Sequence, residues 1–254
     1  MYFTYRVIAA VLGLGLILVQ SLITGKAWHE PPIWVPILLA CSVGMIAMVD
    51  NIRGAWAARK GNNHAERRAR IEKVVSVALA AIAHDSKHNM ALLGVSVFAV
   101  RHRFVRNGLK VNRVETLKRI VRFRMSDIPQ PSKIAWVPSK GCIGEAWSTR
   151  RSSYIDWRPI ADRHGGDQLV SEERYSRLSA KARAGFTYDE FRGIVDKYAE
   201  ILAVPILSDP DGTVLGVVSF DRPRIDDEDP NPILDSPKAR GSAELAAAAL
   251  RGDV

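Results

Sequence analysis

The chain has 254 residues, with 36 Lys plus Arg against 27 Asp plus Glu, a formal charge of +9, and only two cysteines. Cys41 and Cys142 cannot build a disulfide framework, and no Cys or His cluster has the spacing of a zinc site. The charge is unevenly placed: residues 51–133 hold 18 basic and 5 acidic side chains, and the rest of the chain is slightly acidic. Such an excess suits anionic lipid headgroups. A nucleic-acid partner has less support, because no recognition motif or aromatic-interleaved basic stripe accompanies the charge.

Two uncharged apolar runs come first, Val7 to Thr24 and Ile33 to Val49. Both are near the lower length for crossing a hydrocarbon core, and the short link between them predicts a two-helix transmembrane hairpin over residues 1–52. A cleaved signal peptide fits the first run poorly, since the run is too long, lacks an A-x-A site and is followed at once by a second. Arg53, Arg59, Lys60, Arg67, Arg68 and Arg70 follow the second run, while the link carries only Lys26 against Glu30. Positive charge is retained on the cytoplasmic side, so both termini and everything beyond the hairpin are expected to be cytoplasmic at the cell membrane. Tyr5, Trp28, Trp34 and Trp56 sit where interfacial aromatics belong. Cys41 reads as a small apolar filler in the second span. Ala9 with Gly13, and Ala40 with Gly44, are small-x-x-x-small pairs that allow close helix packing. They raise an alternative function, a membrane-disrupting or channel-like effector controlled by the rest of the chain. With few polar residues, Gln20, Ser21, Thr24 and Ser42, the pairs serve better to pack the hairpin on itself.

Residues 53–85 read as a basic juxtamembrane segment and a linker helix. From His64 to Ala83, Ile71, Val74, Val75, Ala78, Leu79 and Ile82 recur at three- and four-residue steps. This stripe must bury either on the domain that follows or on a second copy, which would make a parallel homodimer. The helix ends in Ala83-His84-Asp85-Ser86-Lys87-His88, which resembles the phosphoacceptor box of histidine kinases. The second helix and the ATP-binding domain of a kinase do not follow. His84 and His88 would form an i, i+4 metal pair only if the helix continued, and a polar helix end is the simpler reading.

Residues 86–254 alternate in the manner of strands. Leu93 to Val100 is apolar on both faces, as in a central strand, and a turn at Asn107-Gly108 leads to a half-exposed strand from Leu117 to Met125. Ile201–Leu207 and Val214–Asp221 form a hairpin across a polar Asp-Gly link, with Pro205 suited to a bulge or an edge. Between the two pairs lie Gly141-Cys142-Ile143-Gly144-Glu145-Ala146-Trp147 and Tyr154-Ile155-Asp156-Trp157.

In this order the three motifs resemble those of GAF domains: a G-x-x-G-x-A turn entering a short helix, a strand ending in Asp, and a V-P-I…G-V-L hairpin. The resemblance covers about Val77 to Arg251 and implies an α+β domain, a single antiparallel sheet of about five or six strands with flanking helices. It also implies a small-molecule pocket on one sheet face, closed by the polar segment between Trp157 and Ala199, helical from Ser171 to Ala184. The pocket candidates are Trp136, Gly141, Cys142, Gly144, Trp147, Tyr154, Asp156 and Trp157. The glycines permit a sharp turn whose helix start could hold an anion, and the aromatics could stack on a planar ligand. Each aromatic taken alone is more simply a core residue.

Departures narrow the function. Asp221-Arg222 replaces the Asn-Lys that cyclic-nucleotide-binding GAF domains tend to carry. Cys142 is offset by one from the cysteine of the free methionine sulfoxide reductases, and a second cysteine to resolve an oxidised intermediate is missing from this part of the chain. Bilin attachment would need a reactive Cys142, whereas a buried thiol is commoner. The sequence therefore predicts no catalysis and no identified cofactor. It predicts a membrane-anchored sensor or binding module for a small cytoplasmic ligand or a signalling protein.

Overall fold

The structure, a computed structural model, describes residues 13–15, 17–22, 24, 32, 34–107, 110–132, 134–165, 171–225 and 231–254. Contacts divide the chain into two units, Met1–Glu66 and Arg67–Val254.

In the first unit, residues 13–15, 17–22 and 24 are helical, and helix α1 (Trp34–Ser86) begins. The expected spans 7–24 and 33–49 fall partly outside the described residues. Among the described residues, no helix is long and apolar enough to cross a membrane, so the transmembrane hairpin is not supported by the structure. The second apolar run is not a helix of its own. It is the start of α1, which continues without a break into the basic turns around Arg53 and Arg59. Trp34, Ile37, Leu38, Met45 and Met48 expose their side chains along it. Among the described residues, nothing beyond the neighbouring residues and the helix's own backbone lies within 4 Å of where a Cβ would stand on Gly13 or Gly44. No close helix packing at either glycine is seen among the described residues, and Ala9 lies outside them.

The second unit is built on a five-stranded antiparallel sheet: β1 (Gly94–Asn107), β2 (Lys110–Arg124), β3 (Ser153–Asp156), β4 (Tyr198–Leu207) and β5 (Val214–Pro223), ordered β2-β1-β5-β4-β3. β1 and β2 run well past the expected ends at Val100 and Leu117. Beyond Ala99, β1 has left β5 and pairs with β2, so the stretch between the two expected strands, apart from the turn, is a two-stranded ribbon. Pro205 lies past the end of the β3 ladder at Ala203, so it costs no pairing on that side of β4.

One sheet face carries Val95, Val97, Val121, Leu202, Val204, Val218 and Phe220. It is covered by the last turns of α1 and by the final helix (Pro237–Ala249), which Ser236 caps at its N-terminus. Ile71, Val75, Leu79 and Ile82 are at most 2% exposed in this layer. The stripe expected to choose between its own domain and a second copy is thus spent within the chain, which removes the linker-helix dimer seam. α1 stops at Ser86, and Lys87 takes a left-handed backbone conformation. His84 and His88 therefore share no helix face, and no metal-holding cluster of His, Cys, Asp or Glu occurs among the described residues.

The opposite face carries Phe98, Leu117, Ile201, Ala203 and Val217. Over it lie α2 (Gly141–Thr149), α3 (Arg158–His164), α4 (Glu172–Ser176), α5 (Ala180–Arg183) and α6 (Tyr188–Ile194). Asp156 is the turn residue that starts α3: it accepts the Arg158 backbone N–H at 3.1 Å and the Nε–H and Nη2–H of its guanidinium at 2.8 and 2.7 Å. Thr187 and Glu190 close α6 with a reciprocal capping box.

Candidate functional site

The site lies on this second face, where β1, β2 and β5 meet the helical cover. Alternation along β1 sends Val95 and Val97 into the first core and leaves Gly94, Ser96 and Phe98 facing the cover. Opposite Ser96 on β5 stands Ser219, and opposite Gly94 stands Asp221. A register shift in the β1–β2 ladder between Val97 and Phe98 then sets Arg119 opposite Phe98 and Arg124 opposite Gly94.

These groups enclose a cavity of about 30 Å³ whose walls include Ser96, Phe98, Arg119, Trp136, Trp157, Phe186, Tyr198, Ser219 and Asp221. The aromatic wall is continuous. Trp136 meets Phe98 and Phe186 edge-on, each with ring centroids 6.0 Å apart, and Trp157 lies 6.0 Å from Phe186 and 6.2 Å from Phe191.

Two guanidinium groups define the electrostatics. Arg124 reaches across β1 to pair with Asp221, and its side chain is 2% exposed. A Cβ at Gly94 would collide with that guanidinium, so the missing side chain is what opens the path. Arg119 lies over the Phe98 ring, 5.3 Å from its centroid, with its Nε buried and without a hydrogen-bond partner among the described residues. Burial pushes its basicity below the ordinary arginine value, and neighbouring Arg122 pushes the same way.

Of the sequence candidates, Trp136, Cys142 and Trp157 line the cavity. Gly141 and Gly144 shape the turn behind it. Gly141 has φ +57°, and a Cβ there would stand 2.5 Å from the Phe186 ring; at Gly144 it would strike the Val137 carbonyl. The Gly141 N–H donates to the Ala184 carbonyl at 2.7 Å, so that donor at the start of α2 is already taken, against the expectation of an anion there. Cys142 is 3% exposed and donates from Sγ to the Ser153 carbonyl at 2.9 Å. Burial pushes its pKa up to about 12, which removes it as a nucleophile. Trp147 is buried in the same core without lining the cavity.

Tyr154 and Asp156 belong elsewhere. Tyr154 packs against the first core, and its hydroxyl donates to Glu200 at 3.0 Å. Glu200 and Arg222 form an ion pair at 2.8 Å with both side chains fully buried, and Glu200 also accepts the backbone N–H groups of Ile233 and Leu234. Sequence reasoning missed Arg119, Arg124, Asp221, Ser96 and Ser219, because basic alternation along β2 reads as a solvent face. It also missed Phe186 and Phe191, isolated apolar residues in a polar segment, although the Thr187–Glu190 capping signature marked the local helix.

No family model and no curated protein matches the chain. Solved structures do. A type II free methionine-R-sulfoxide reductase from Thermoplasma acidophilum is 11% identical, with a TM-score of 0.38 over 72% of this chain and 94% of that one. A putative GAF sensor protein from Burkholderia vietnamiensis is 15% identical, with a TM-score of 0.36 over 75% and 95%. NreA from Staphylococcus aureus, mutated in its nitrate binding site, is 13% identical, with a TM-score of 0.32 over 66% and 92%.

Proposed function

We propose that the second unit is a GAF-like sensor domain that binds a small ligand between the sheet and the 157–199 cover. The observation that carries this reading is the small, partly open cavity: aromatic on one side, polar on the other, and roofed by short helices rather than by the long helices of the first core. Cys142, Trp157 and Ile201, from the motifs that led to the GAF resemblance, line it. A binding role without catalysis agrees with Cys142, a buried thiol tied to a backbone carbonyl. Occupancy of the cavity would pass to a partner protein through the cover.

The test is thermal denaturation of the full chain in mild detergent against a broad panel of small metabolites. A ligand that binds only the folded state raises its melting temperature. The expected result is a saturable rise for a compound that loses its effect in Ser219→Phe, which fills the cavity. A panel without any such compound refutes the reading.

The two uncharged runs and the positive charge after them support attachment to the cell membrane with both termini cytoplasmic, a placement that rests on sequence. Resistance to alkaline carbonate extraction, together with protease access to the second unit only from the cytoplasmic side, is the outcome this placement requires.

A further inference from the structure

Among the described residues, Arg119 is a cavity-lining charge without a carboxylate partner. On the cover side of β2 three guanidinium groups, those of Arg119, Arg122 and Arg124, share one carboxylate, Asp221, and Arg124 occupies it. Arg122 donates to the Pro129 carbonyl. Arg119 has an aromatic ring beneath it and no carboxylate partner among the described residues. A second donor is also idle: Trp157, 1% exposed and part of the cavity wall, buries its indole N–H without an acceptor among the described residues. Buried donors are normally satisfied, and two donors without a partner among the described residues at one small cavity can both serve an acceptor there. Ser96 and Ser219, in register on β1 and β5, both line the same cavity. The volume of about 30 Å³ accommodates a few heavy atoms and excludes a nucleotide or a tetrapyrrole from the cavity in this form.

Building on the ligand-binding reading, we infer that this cavity binds a small planar oxyanion, a short carboxylate or an inorganic anion of that shape, with Arg119 as its counter-charge and the Trp157 N–H as a second donor. Asp221 does not repel it, because Arg124 neutralises that carboxylate. A planar guanidinium suits a planar oxyanion, which it can meet with two parallel hydrogen bonds.

Thermal denaturation of the full chain in mild detergent tests this, with formate, acetate and nitrate as probes, acetamide as the neutral isostere of acetate, and sodium chloride at matched ionic strength as reference. A saturable rise with a planar anion is expected. Acetate against nitrate separates a carboxylate from an inorganic ligand. Arg119→Met should weaken the response about tenfold or more, and Arg113→Met, an exposed charge on the ribbon, should leave it unchanged. Where Arg119→Met does not fold, Trp157→Phe serves, since it removes the N–H and keeps the ring. No rise above chloride, an equal rise with acetamide, or an equal rise in both cavity variants overturns the inference. A neutral metabolite that binds wild type and not Ser219→Phe would do the same while leaving the ligand-binding reading intact.

Discussion

Arg124 and Asp221 pair across a strand to which neither belongs. Both are in register with Gly94, Arg124 from β2 and Asp221 from β5, and the guanidinium crosses β1 over the place where a Gly94 side chain would stand. One glycine in a central strand thereby permits a buried ion pair at the rim of the cavity. The pair also frees Arg119 to be the charge that a ligand meets.

Gly94→Ala should therefore act as an ion-pair mutation rather than a strand mutation. Its cost is expected to exceed the roughly 1 kcal/mol scale of β-propensity, because the Arg124 guanidinium must shift from Asp221 as well. In an Asp221→Asn background the same change should cost less, because the interaction it disrupts is already gone. Urea denaturation of the four proteins of the cycle measures the coupling, and strictly additive costs would show that the glycine serves another purpose.

The second buried pair secures a loop to the sheet. Glu200 is fully buried and holds Arg222, Tyr154 and two backbone N–H groups of residues 233–234. Glu200→Gln should destabilise the fold by about 3–5 kcal/mol, since Arg222 keeps its charge in a dry site. Tyr154→Phe should cost about 1.5–3 kcal/mol, the value of one hydrogen bond to a charged group. Chemical denaturation distinguishes the two, and equal losses would contradict the assignment.

Leu79 and Val77 lie two residues apart on α1 with opposite fates, fully buried against 64% exposed. Leu79→Ala should cost about 2–5 kcal/mol, and Val77→Ala less than about 0.5 kcal/mol. Ala78→Asp should unfold the second unit rather than dissociate a dimer. Sedimentation beside circular dichroism separates these outcomes: a smaller particle with an intact sheet signal would restore the dimer seam.

Cys142 should be chemically silent. With Cys41→Ser as background, iodoacetamide at pH 8 should label the folded chain far more slowly than the guanidinium-unfolded chain, because burial holds the thiol near pKa 12. Labelling at a free-thiol rate in the folded state would reopen a nucleophilic role.

Acid should loosen the cover before the sheet. Glu190 joins α6 to the turn before α2 through both carboxylate oxygens, each 2.9 Å from Lys140 Nζ. Burial would raise its pKa, but the Thr187 backbone N–H and the Lys140 ammonium outweigh it and hold the carboxyl below its usual range. A depressed carboxylate stabilises the fold above its unfolded pKa, about 4.3, and the contribution disappears as pH falls through the folded value. Melting temperatures from pH 7 to pH 3 should therefore fall more steeply for wild type than for Glu190→Gln, with the difference confined below about pH 5. Parallel curves would show that the link adds nothing.

Local pattern alone determined much of this protein. Alternation located all of the long strands, the Asp-Gly link gave the β4–β5 hairpin, and three-four spacing marked the apolar stripe of α1. These signals are legible because they depend on neighbours a few residues away. The ends of β1 and β2 were not legible, since the ribbon beyond Val100 is held by cross-strand pairing rather than by its own apolar content. Tertiary structure decided which face each strand residue serves. Tyr154, placed beside Trp157 by sequence, belongs to the other side of the sheet because the strand period is two. Only the register of β1 between β2 and β5 brings Arg124 to Asp221 and leaves Arg119 over Phe98 without a carboxylate among the described residues, since partners 97 residues apart owe their meeting to the ladder and not to the chain.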